Sequence, residues 1–84
     1  MQTKRNPIMH DRLYLERKML GINQQQMSDL TDIGYKTYHT KERGVYRFCE
    51  DEMVRVQKVI NNGRAERGED PLSLEELFET KKSL

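Results

Sequence analysis

The chain has no tryptophan and a single cysteine, Cys49. One cysteine excludes an internal disulfide framework and fits a reducing compartment, and its thiol reads as inert. No apolar run approaches the roughly 18 to 20 residues of a membrane span, and the polar N-terminus lacks the apolar core of a signal peptide. The expected compartment is the cytoplasm. Internal repeats and low-complexity tracts are also missing, since Gln24 to Gln26 is too short to count. Catalytic constellations are equally scarce. His10, His39 and Cys49 do not have the spacing of a zinc site, no phosphate-binding glycine loop occurs, and nothing sets the cysteine beside a histidine and an orienting third group. The expectation is a non-enzyme without metal or cofactor.

Neither charge dominates, because 15 Lys and Arg stand against 14 Asp and Glu. The balance is uneven along the chain. Residues 1–47 carry nine bases and five acids, a balance of +4, whereas residues 48–84 carry six bases and nine acids, a balance of −3. The basic half can approach a polyanion, and the acidic half should point away from it. With 84 residues the chain makes one domain, near the size at which only about 60% of the unfolded surface is buried. Its apolar residues recur periodically enough to fold.

The periodicity predicts an all-α bundle of about five short helices. Helix 1 is expected from Asn6-Pro7, as cap and first helical residue, to Leu20, with Ile8, Met9, Leu13, Leu15, Met19 and Leu20 as its apolar stripe. Helix 2 is expected over 24–31, burying Met27 and Leu30, and capped by Asn23 with Gln26 closing a capping box. A corner at Asp32-Ile33-Gly34 leads into helix 3 over 35–42, with Tyr38 buried and Gly44 as its stop. Asp tolerates a left-handed backbone, and Gly34 has no Cβ to clash as the chain turns. Helix 4 is expected over 50–61, with Glu50, Asp51 and Glu52 at its positive end, Met53, Val56 and Ile60 facing the core, and Asn62-Gly63 closing it. Phe48 reads as core. The domain plan is therefore 1–62 as the main unit, 63–72 as a flexible, exposed linker, and 73–84 as a C-terminal helix opened by the Ser73-Leu74-Glu75-Glu76 capping box.

Gly21-Ile22-Asn23-Gln24, Leu30, Ile33, Thr37 and Glu42-Arg43-Gly44 match, in order and without a gap, the run that marks one family. The segment resembles the helix-turn-helix of phage repressor and Cro-type (lambda-repressor-like, XRE-like) proteins, and a looser likeness extends from Ile8 to Ile60. Four positions depart from the pattern. Asp32 stands where Gly is usual and Ser28 where Ala is usual, while Thr31 and Lys41 occupy positions commonly apolar. The polar pair points to a thinner core or a surface turned to another partner.

The resemblance implies sequence-specific binding of double-stranded DNA by a small transcriptional regulator, a Cro-like or repressor-like protein of phage or mobile-element type, acting as a homodimer on an operator. The backbone amides at the start of helix 2, with the side chains of Asn23 and Gln24, present donors that suit a phosphate, and the resemblance assigns Tyr35 and Lys36 to base edges or nearby phosphates, His39 and Thr40 to the next turn, and Arg43 and Arg47 to the backbone. It also implies a semi-buried ion pair between Arg17 and Glu42. Leu74, Leu77 and Phe78 form either a dimer surface or a cap on the protein's own core. Two alternatives stand beside this reading: an excisionase-like architectural DNA-binding factor, and a helix-turn-helix fold used as a protein-binding antirepressor or inhibitor, with Lys41 and the acidic half meeting the partner.

Overall fold

The computed structural model describes residues 10–78, and over this range the chain is five helices and no strand: α1 Asp11–Leu20, α2 Gln24–Thr31, α3 Tyr35–Glu42, α4 Glu50–Glu66 and α5 Leu74–Phe78. The expected start of helix 1 at Asn6-Pro7, together with Ile8 and Met9, lies outside the described residues. Gly21 ends α1 in the left-handed region at φ 76°, where its N–H reaches the carbonyls of Arg17 and Lys18. The α1 stripe differs from expectation. Leu13 is fully buried, but Leu15 and Met19 are more than half exposed. The inward arc runs from Leu13 through Glu16 and Arg17 to Leu20, so two charged residues occupy the places that the apolar pattern assigned to its neighbours.

α2 opens on the expected box: Gln26 N–H donates to Asn23 Oδ1 at 2.8 Å, and Asn23 N–H to Gln26 Oε1 at 2.8 Å. Met27 is buried, but Leu30 is 60% exposed, because Met27, Ser28 and Thr31 make up the inner arc. Thr31 is buried at little cost, since its hydroxyl donates to the Met27 carbonyl. At the corner Asp32 itself takes the left-handed conformation, φ 62° and ψ 34°. Two side chains hold it there: Ser28 Oγ donates to the Ile33 carbonyl at 2.5 Å, and Arg55 from α4 donates to the Thr31 carbonyl at 2.8 Å. Gly34 has no such burden. Its φ is −54°, and a Cβ added there would meet only Thr37 Oγ1, at 3.9 Å.

α4 does not close at Asn62-Gly63 but continues to Glu66, and Gly68 at φ 76° follows its end. Residues 63–66, expected as linker, are its last turn. Gly63 serves packing instead, for a Cβ built on it would collide with Leu20 Cδ2. The segment that follows is tied to α4. Asn61 Nδ2 donates to the Leu72 carbonyl at 3.0 Å, and Leu72 N–H donates to Asn61 Oδ1 at 2.9 Å. Arg64 Nε reaches the Asp70 carbonyl at 2.6 Å, and its guanidinium also meets Glu16 on α1. Ser73 and Glu76 form the expected capping box of α5.

The core joins Leu13, Met27, Ile33, Tyr38, Phe48, Val56, Ile60, Leu72, Leu77 and Phe78. Leu77 and Phe78 are therefore interior residues, not a dimer surface. The α4–α5 connection folds back far enough to seat Phe78 against Phe48, with ring centroids 5.2 Å apart, and beside His10, 5.5 Å away. Leu74 packs against the same core, partly buried.

Candidate nucleic-acid interface

The site is organised by one buried carboxylate. Glu42, in the last turn of α3, is 2% exposed and accepts from Arg17 on both oxygens, Nε at 2.9 Å and a terminal nitrogen at 3.0 Å. A two-pronged contact of this kind suits the planar guanidinium. The other terminal nitrogen of Arg17 donates to the Ile22 carbonyl at 3.0 Å, which fixes the chain just before α2. Burial opposes the charge on Arg17, but the hydrogen bonds and charge of Glu42 outweigh it and hold the guanidinium above its ordinary value. The Tyr38 hydroxyl, one turn before Glu42, donates to the same carboxylate at 2.9 Å. Burial, reinforced by the neighbouring negative charge, pushes its phenol well up, so it stays a donor.

Gln24 completes the set from α2, with its amide nitrogen 2.6 Å from Glu42 Oε1 and its carbonyl oxygen 2.8 Å from His39 Nδ1. The start of α2 is thereby locked to the middle of α3. Between them lies an open groove of about 590 Å³ lined by Arg17, Asn23, Gln24, Gln25 and Tyr35. α2 carries no acidic side chain in its first turn, unlike α4 with Glu50, Asp51 and Glu52, and the one carboxylate at its start, Glu42, is already paired with Arg17.

The residues assigned to DNA divide into two groups. Asn23 is a cap whose carbonyl is occupied, and Gln24 is turned inward, keeping one amide hydrogen for an outside partner. Tyr35, Lys36, Arg43 and Arg47 are exposed, while His39 and Thr40 are half-buried. The Tyr35 ring stacks on His39 with centroids 6.1 Å apart, and the Thr40 hydroxyl donates back to the Thr37 carbonyl. Lys41 does not offer an open surface, since it pairs with Glu52 at 2.6 Å and ties α3 to the start of α4.

Ion pairing sorts the remaining cations. Among the described residues Arg12, Arg17, Lys41, Arg55, Arg64 and Arg67 each meet a carboxylate. Lys36, Arg43 and Arg47 on α3 and the loop after it meet none, and neither do Lys18 on α1 and Lys58 on α4. No helix among the described residues is long and apolar enough to cross a membrane, and no group of three or more His, Cys, Asp or Glu there is placed to hold a metal ion.

Sequence reasoning did not bring Gln24 and Tyr38 to the carboxylate. For Tyr38 the signal was available, because it lies four residues before Glu42 and so on the same face. For Gln24 only the packing of α2 on α3 decides. Comparison with known proteins returns no matching family model, no matching curated protein and no matching solved structure.

Proposed function

We propose that this chain binds double-stranded DNA through α3 and the start of α2, as a small transcriptional regulator in which binding itself is the activity. The observation that carries the reading is the set of cations without carboxylate partners, Lys36, Arg43 and Arg47, on an exposed helix and the loop after it. Elsewhere among the described residues only Lys18 on α1 and Lys58 on α4 lack a carboxylate partner, each singly on its helix, and the other bases are paired with acids of the same chain. A group of unpaired cations beside a helix start that carries no acidic residue in its own first turn is what a phosphate backbone neutralises. The rigid carboxylate centre supports the same reading, because it sets the spacing of the two helices that would meet backbone and bases together.

In this reading Lys36 and Tyr35 face base edges, and Arg43 and Arg47 hold phosphates. A homodimer with two α3 helices about 34 Å apart would supply the affinity that one short helix lacks. Its interface would not use Leu77 and Phe78. Fluorescence anisotropy with random-sequence duplex at low and moderate salt tests the proposal. The expected result is salt-dependent binding whose log–log slope falls by about two in an Arg43→Ala/Arg47→Ala variant. An absence of binding at low salt by a protein that keeps its helical signal would overturn it and favour the protein-binding alternative.

A further inference from the structure

Glu42 faces the Arg17 guanidinium at 2.9 and 3.0 Å, so its oxygens act only as acceptors. The Gln24 atom it meets at 2.6 Å must then be the amide nitrogen. That orientation leaves the Gln24 carbonyl oxygen for His39, 2.8 Å from Nδ1. A carbonyl oxygen cannot donate, so Nδ1 carries the hydrogen, and in the neutral ring Nε2 is a bare acceptor. Nε2 has no hydrogen-bond partner among the described residues, yet the one buried side-chain nitrogen or oxygen there without a partner is Arg55 Nε; Nε2 therefore meets solvent. Stacking on Tyr35, with ring planes 24° apart, restrains the imidazole from swinging away.

We infer that polarity passes from the buried carboxylate through Gln24 to His39, making His39 Nε2 a fixed acceptor that recognises an exocyclic amino group, adenine N6 or cytosine N4, in the major groove. The inference rests on the DNA-binding reading and names what one residue of that site recognises. In the major groove the amino groups of adenine and cytosine are the donors, whereas guanine N7 and O6, adenine N7 and thymine O4 are acceptors. An acceptor-only His39 selects the first set. Lys36, three residues earlier on the same helical face, is a pure donor and selects the second. Two neighbouring side chains of opposite, fixed polarity would thus define the order of bases.

Long-range proton–nitrogen correlation spectra of the free protein, at a pH where the ring is neutral, give the first test. The expected pattern has the hydrogen on Nδ1, reverting in Gln24→Leu to the Nε2–H form that an unrestrained imidazole prefers. A hydrogen on Nε2 in the parent overturns the inference whatever DNA does. The second test takes the duplex chosen by in vitro selection and replaces each adenine with purine, or each cytosine with pyrimidin-2-one, so that one amino group is deleted at a time. At one position the deletion should weaken the parent about tenfold and leave His39→Ala unaffected. If the position sensitive to His39→Ala instead responds to 7-deazaguanine, His39 reads an acceptor; the inference falls and DNA binding stands. If no duplex is bound at low salt, both fall.

Discussion

At the residue scale the protein is governed by how its buried charges are partnered. Removing one member of a buried pair strands the other, which costs more than the pair contributes. Arg17→Ala should therefore lower stability by about 3 to 5 kcal/mol in denaturant titration. An unchanged midpoint would mean that Glu42 does not depend on the guanidinium. The half-buried pair between Lys41 and Glu52 makes a different prediction. Partial burial works against the Glu52 charge, but hydrogen bonds from Lys41 and from the Cys49 N–H outweigh it and hold the carboxyl below the usual 4.5. A carboxyl lowered in the folded state adds stability above that usual value and loses it as pH falls through the lowered one. The gap in melting temperature between the parent and Glu52→Gln should be widest near neutrality and close in acid. A gap that ignores pH would deny the pair this role. On the DNA side, Lys36→Ala should relax discrimination at one base position by about 1 to 3 kcal/mol, while Arg47→Ala should weaken all duplexes alike.

Among the elements, α4 departed furthest from its sequence pattern at its C-terminal end, and α5 took one of the two places left open for it. Asn62-Gly63 has the composition of a stop, but a glycine inside a helix also permits close approach, and nothing local distinguishes the two uses. Leu20 on α1 does. In the parent, Gly63→Ala should forfeit the gain of about 1 kcal/mol that alanine normally brings to a helix, and in a Leu20→Ala background it should recover that gain. Strictly additive effects in the four-member thermal cycle would show that the two residues do not compete for space. For α5, burial of Phe78 predicts that Phe78→Ala costs about 3 to 5 kcal/mol by denaturant titration, with the sedimentation coefficient of the folded protein unchanged. A stable variant that changes its association state would restore the interface reading.

For the whole molecule, charge is arranged more tellingly than it is summed. A net charge of +1 gives little general attraction to a polyanion. The bases of α4 are largely absorbed by acids of the same chain, as in the cluster where Arg64 and Arg67 both meet Glu16 and Glu69. Lys36 on α3 and Arg43 and Arg47 in its following loop are not. Attraction to DNA should therefore be directional and steep in salt even though the protein as a whole is almost neutral.

The amino-acid sequence determined by itself whatever depends on neighbours along the chain. The Asn23–Gln26 and Ser73–Glu76 boxes, the spans of α2 and α3 and the acidic start of α4 all follow from residues within four positions of one another, where short-range hydrogen bonds and backbone sterics decide, and the left-handed Asp32 was legible from its residue type although Arg55 of α4 helps to hold it. The pairing of Arg17 with Glu42 was also legible, through the resemblance and not through periodicity. Tertiary structure decided the rest, because those choices rest on contacts between residues remote in sequence. Packing of α1 on α4 turned Gly63 from a stop into a contact, and closure of α5 over Phe48 made Phe78 interior. Packing of α2 on α3 drew Gln24 inward to join Glu42 to His39. A hydrogen bond between side chains fifteen or eighteen residues apart leaves no local pattern, since its geometry exists only once both helices have been placed by the core beneath them.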